Sequence, residues 1–120
     1  MAKSVPTAVM DQILDEIATS TLQTVVSDTE TPTDLTGALA DTAMAAGDFT
    51  KDEGDAGAGS RKVTMAAKSG VTVDADGAPN HVVLSLDGTI KLITTCTGPD
   101  LTEGSTVDFP AWKYEIGAPS

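Results

Sequence analysis

Residues 81–95, HVVLSLDGTIKLITT, decide the fold. Two runs rich in β-branched and apolar residues, with polar residues between them, flank Asp87-Gly88. This is the signature of two antiparallel strands joined by a tight turn. Their register is open to argument. Val82 and Leu84 share one face of the first run, and Ile90 and Leu92 share one face of the second. A two-residue Asp87-Gly88 loop would set Leu84 opposite Lys91 and mix the faces. A three-residue loop, Leu86-Asp87-Gly88, pairs Leu84 with Ile90 and Val82 with Leu92. It also places Gly88 at the left-handed position such loops need. The three-residue loop is therefore the expectation.

Downstream, Gly98-Pro99-Asp100 and Glu103-Gly104 bracket a further turn. Val107 and Phe109 face inward, whereas Trp112, Tyr114 and Ile116 continue on the opposite parity. That change at Pro110-Ala111 implies a bulge or a strand that switches sheets, because proline cannot donate to a ladder. Upstream, Val63 with Met65 and Val71 with Val73 alternate in the same way, and Asp74-Ala75-Asp76-Gly77 makes a loop. Residues 51–60, KDEGDAGAGS, read as an exposed, mobile loop. Residues 35–50 are ambiguous, since Leu39, Met44 and Phe49 are spaced too widely to fix a period. Leu22 to Val26 is a first strand, followed by a loop from Ser27 to Asp34.

Only residues 5–18 carry a helical period. Val9, Met10, Ile13, Leu14 and Ile17 form one apolar stripe, and Asp11, Asp15 and Glu16 lie on or beside the polar face. Ser4 is the expected N-cap, with Pro6 in the first turn. Thr19-Ser20-Thr21 ends the helix. The expected organisation is an N-terminal helix or arm over residues 1–20 and a β domain over residues 21–120. The fold class is mainly β, a β-sandwich or jelly-roll-like barrel of about six to eight short strands.

Composition narrows the function. Only Phe49, Phe109, Trp112 and Tyr114 are aromatic among 120 residues, so the core is thin and neighbouring subunits would stabilise it. The net charge of −11 and the absence of a basic patch argue against nucleic acid and against an anionic membrane surface. The Met-Ala-Lys-Ser start lacks the apolar core of a secretory signal, and no run approaches the about 18 apolar residues of a membrane span. Synthesis in a cytoplasm is the expectation.

Chemistry-bearing residues are few. His81, the one histidine, has neither an orienting carboxylate nor a nucleophile nearby, and by parity it shares the more polar face of its strand with Val83 and Ser85. Cys96 falls on the inward parity after Leu92 and Thr94 and reads as a small core residue. Asp74-Ala75-Asp76-Gly77 starts like a calcium loop, but position twelve is Ser85 rather than a bidentate glutamate. Asp52-Glu53-Gly54-Asp55 is carboxylate-rich without a motif. No catalytic residue, cofactor or metal is expected. The helix stripe packs onto its own sheet or reaches a neighbour, and Trp112 and Tyr114 suit either a core or an interface anchor. Val9, Ile13, Ile17, Trp112 and Tyr114 are thus the candidate contact residues.

The order of elements resembles small structural proteins of tailed bacteriophages. The pattern is a short amphipathic helix, Leu22–Val26, a proline-containing loop, HVVLSLDGT with its hairpin partner, DLTEGSTVDFP, and the closing WKYEI strand. Residues 76–119 carry it most closely. The resemblance implies a non-enzymatic virion component, a head decoration or cement protein that binds between coat subunits. Its partners would be the major capsid protein or other virion proteins and further copies of itself, and its location the virion. The alternatives are a tail, neck or fibre component, and a calcium-dependent surface- or carbohydrate-binding module.

Overall fold

The computed structural model describes residues 6–28 and 30–117. It is mainly β, with nine strands, all paired antiparallel, and one helix in a β-sandwich-like arrangement. The elements are α1 (Thr7–Ala18), β1 (Leu22–Val26), β2 (Ala38–Ala43), β3 (Phe49–Glu53), β4 (Arg61–Met65), β5 (Lys68–Thr72), β6 (His81–Leu86), β7 (Thr89–Thr95), β8 (Thr106–Phe109) and β9 (Trp112–Ile116). One layer is the sheet β2-β1-β6-β7. The other is made of two smaller sheets, β3-β4-β9 and β5-β8.

Those two smaller sheets are one ribbon broken by a proline. Met65 opposes Trp112 in the β4–β9 pair, and three residues on Lys68 opposes Phe109 in the β5–β8 pair. The register is therefore unbroken across the gap. Pro110 lies in that gap, where its missing N–H removes a ladder bond and lets the chain bend from one sheet to the other. The parity change at Pro110-Ala111 is thus a strand switching sheets.

The decisive hairpin forms, but with a different turn. Leu86 pairs with Thr89, leaving a two-residue loop at Asp87 and Gly88. Both loop residues have positive φ (49° and 82°), as a type I′ turn requires. The mixing of faces that such a loop would cause is avoided by a bulge. Ser85 pairs with Ile90 and Leu84 with Leu92, so Lys91 is the extra residue on β7. The expected pairing of Leu84 with Ile90 and Val82 with Leu92 is replaced by Leu84 with Leu92 and Val82 with Thr94. The more polar face of β6, shared by His81, Val83 and Ser85, is largely closed to solvent. Val83 and Ser85 are as buried as Leu84, because β6 is an interior strand.

Two apolar clusters fill the space between the layers. Leu14 and Ile17 of α1 join Met44, Val63, Met65 and Leu84 in the first, with Phe49, Leu92, Trp112 and Ile116 packed against it. Val25, Leu39, Ala40, Val73 and Phe109 form the second, bordered by Val71, Val82, Cys96, Leu101 and Val107. The helix is therefore an integral part of the β domain's core. It begins after Pro6, whose carbonyl accepts the Val9 and Met10 amides at 2.9 and 3.3 Å. The expected cap Ser4 lies outside the described residues. At the other end the Thr19 and Ser20 hydroxyls donate to the carbonyls of Glu16 and Ile17 at 2.6 and 2.7 Å. These bonds satisfy acceptors the terminated helix leaves open.

The segment expected as a mobile loop is ordered by its own bonds. Residues 51–53 belong to β3, and the remainder turns tightly back into β4. Gly54 N–H donates to the Ser60 carbonyl at 3.1 Å, and the Asp55 and Ala56 amides donate to Glu115 at 3.1 and 3.0 Å. Glycine at position 54 lets the turn close, since a Cβ there would lie 2.8 Å from Ser60 Cβ as well as against Ser60 Oγ and Glu115 Oε2.

Candidate functional site

The structure divides the helix stripe. Met10, Leu14 and Ile17 are buried, Ile17 being 6% exposed, whereas Val9 and Ile13 are 43% and 50% exposed. The stripe is wider than the contact it makes with the sheets, so an apolar ridge stays in solvent. Ion pairs from three strands hold the helix in that orientation. Asp11 pairs with Arg61 of β4 at 2.8 Å, Asp15 with Lys51 of β3, and Glu16 with Lys91 of β7. The Asp11 carboxylate raises the Arg61 pKa further, so the guanidinium stays charged.

Trp112 and Tyr114 part company in the same way. Tyr114 is 39% exposed on the outer strand of its sheet. Trp112 is half-buried and donates its indole N–H to Gln23 Oε1 at 2.7 Å. Gln23 is fully buried and also contacts the Met44 sulfur at 3.7 Å through its amide nitrogen. Of the five candidate contact residues, Val9, Ile13 and Tyr114 face solvent, while Ile17 and Trp112 are engaged inside the fold.

A cleft of about 620 Å³ opens beside this glutamine. Gln23, Val25 and Val82 lie on the wall made by the four-stranded sheet, and Val107, Phe109 and Trp112 on the β8–β9 wall. Thr94 to Thr97 border it as β7 leaves its sheet. Sequence reasoning missed this cleft. The only hint was the Pro110 parity change, which separates β8 from β9 but says nothing of the distance between layers.

Cys96 lines the cleft and packs against the second cluster, and its partial burial raises the thiol pKa. A protonated thiol is a poor nucleophile. His81 Nδ1 and Asn80 Oδ1 lie 2.9 Å apart, and the same oxygen accepts the Asp28 amide at 2.8 Å. The histidine is thus part of a loop anchor. Among the described residues no three His, Cys, Asp or Glu side chains gather as metal ligands. No described helix is long and apolar enough to cross a membrane.

Charge is segregated. All six described basic residues are ion-paired, with Asp11, Asp15, Glu16, Asp48, Asp55 and Glu115. Further carboxylates, in two loops and on β8, cap backbone amides. Asp34 accepts from Thr36 at 2.9 Å, Asp76 from Glu103 at 2.7 Å, and Asp108 from Gly70 at 2.8 Å. Hydrogen bonds from the Thr36 backbone and hydroxyl hold Asp34 below the usual carboxylate range. The Asp76 bond explains the Asp74–Gly77 segment as a turn, since its acid is engaged with the chain itself. No protein family, curated protein or solved structure matches the chain.

Proposed function

We propose that the chain is a non-enzymatic virion protein that decorates a bacteriophage capsid and stabilises it by binding between coat subunits, alongside further copies of itself. The observation that carries this reading is the exposed Val9–Ile13 ridge on a helix whose Met10, Leu14 and Ile17 are buried. Covering such residues yields roughly 1.5–3 kcal/mol for each one fully removed from water. The ion pairs to Arg61, Lys51 and Lys91 fix the ridge before contact, so little ordering entropy opposes docking. The order of elements over residues 76–119 resembles phage structural proteins and supplies the partner class. The acidic surface suits a protein kept soluble at high concentration before assembly.

Co-sedimentation tests the reading. The purified protein should pellet with mature shells and stay in the supernatant with free coat subunits. An Ile13→Asp variant that remains folded should lose the pelleted fraction. Binding to neither target, or unchanged binding by the variant, overturns it.

A further inference from the structure

Among the described residues, the two layers are joined along one side and open along the other. On the closed side, β2 and β5 approach, and Ala40 and Val73 form an isolated antiparallel bridge between the layers. On the other side β7 ends its sheet, and among the described residues it pairs with β6 alone. The cleft lies between this last strand and β8–β9.

The direction of the unpaired backbone groups follows from the ladder. The Cys96 amide donates to the Asn80 carbonyl at 2.9 Å, toward β6. Donors alternate sides along a strand, so the amides of Ile93 and Thr95 point away from β6. Exposed edges are ordinarily blunted by lysine, proline or a bulge. The Lys91 end of β7 has such protection, in its bulge and in the Lys91–Glu16 ion pair to α1. The next four residues, Leu92-Ile93-Thr94-Thr95, have no charge and no proline. The opposite wall is protected, by Pro110, Asp108 and Lys113.

The cleft also lacks what a small polar ligand needs. Such sites orient their occupant with a few convergent polar side chains. Here Gln23 Oε1 and the Trp112 N–H bond each other, and the remaining wall is largely Val, Phe, Leu, Pro and Thr. Asp108 and Lys113 are engaged with Gly70 and with Asp55 and Glu115, which leaves the threonine hydroxyls and the backbone of β7 to bond an occupant. Backbone groups in a row beside an apolar trough recognise an extended peptide.

We propose that this seam receives an extended segment of a partner chain, which adds to β7 as a further strand and places alternate apolar side chains in the cleft. The chain's net charge of −11 favours a segment with basic flanks. The inference takes only the identity of the donor from the reading as a capsid-decorating protein; the seam itself stands on the strand order and the cleft.

A short synthetic peptide alternating valine and threonine, with a lysine at each end, serves as the probe. Trp112 is the only tryptophan and lines the cleft, so its emission reports occupation directly. Saturable binding should shift that emission and slow amide exchange at Ile93 and Thr95. A peptide with proline at its centre should not bind. Thr95→Pro removes one outward donor without touching the bonds to β6, a position where an edge strand tolerates proline. It should weaken peptide binding about tenfold, the equivalent of one lost hydrogen bond of about 1.4 kcal/mol. An unchanged thermal midpoint would show that Thr95→Pro still folds, and the exchange measurement on the unaltered protein needs no variant. Absence of peptide binding, binding without protection of Ile93 and Thr95, or binding indifferent to Thr95→Pro in a folded protein would each overturn the proposal. Particle binding without peptide binding would sink the seam alone, and peptide binding without particle binding would sink the capsid reading alone.

Discussion

The indole N–H of Trp112 donates to Oε1 of the fully buried Gln23 at 2.7 Å, joining β9 in one layer to β1 in the other. It is a polar contact between the two layers, where the two apolar clusters meet and the cleft begins. A buried amide left without its partner costs about 1–3 kcal/mol.

Gln23→Leu should therefore destabilise the protein by about 1–3 kcal/mol, through the orphaned indole N–H. Trp112→Phe should cost at least as much, since it also removes apolar area. The double variant should be less destabilised than the two single losses combined, with a coupling of about 1 kcal/mol in a urea-unfolding cycle. Additive losses would mean that the bond contributes nothing.

Thr24 presents the reverse case. Its side chain is buried on β1, and its hydroxyl has no hydrogen-bond partner among the described residues. Thr24→Val replaces that hydroxyl with a methyl group and should raise stability by about 1 kcal/mol, read as a higher midpoint in urea.

The helix should depend on its buried stripe far more than on its ion pairs. Leu14→Ala should cost about 2–5 kcal/mol, because the site is fully enclosed and the cavity cannot collapse. Asp11→Asn should cost only a small part of that, and the difference from the unaltered protein should shrink as salt is added. Thermal unfolding at low and high ionic strength separates the two.

Acid should weaken the turn at Ala46–Asp48. The Ala45 amide, at 2.8 Å, and then Lys68, at 2.9 Å, hold the Asp48 pKa below its ordinary value. A depressed folded-state pKa contributes stability above the unfolded-state value and loses it as pH falls through the folded-state value. Asp48→Asn should therefore lower the melting temperature at pH 7. The gap should close as pH drops below about 4.

The sequence was most legible where one residue type forces one outcome. Pro110 denies a ladder bond, and the parity of Phe109 against Trp112 pointed to a bulge or a sheet switch, of which the strand pairing has the switch. Thr19 and Ser20 stop the helix as their hydroxyls allow. The hairpin turn was misread because strict alternation takes no account of a bulge, and Lys91 absorbs the offset that argued against two residues. The segment 54–60 looked mobile because its glycines and carboxylates were considered locally, whereas Glu115, distant in sequence, orders it. The stripe named Ile13 and Ile17 together, yet nothing in a helical period says how far a sheet extends beneath it. The cleft was hidden for the same reason, since strand sequences do not record which edge of a layer lacks a neighbour.

Electron microscopy of virions carrying the chain, with a gold-labelled antibody against it, separates head decoration from every other placement. Many labels should spread over the head shell and be lost when Ile13→Asp replaces the unaltered chain. Label confined to the tail or neck, or particles without label, would contradict it.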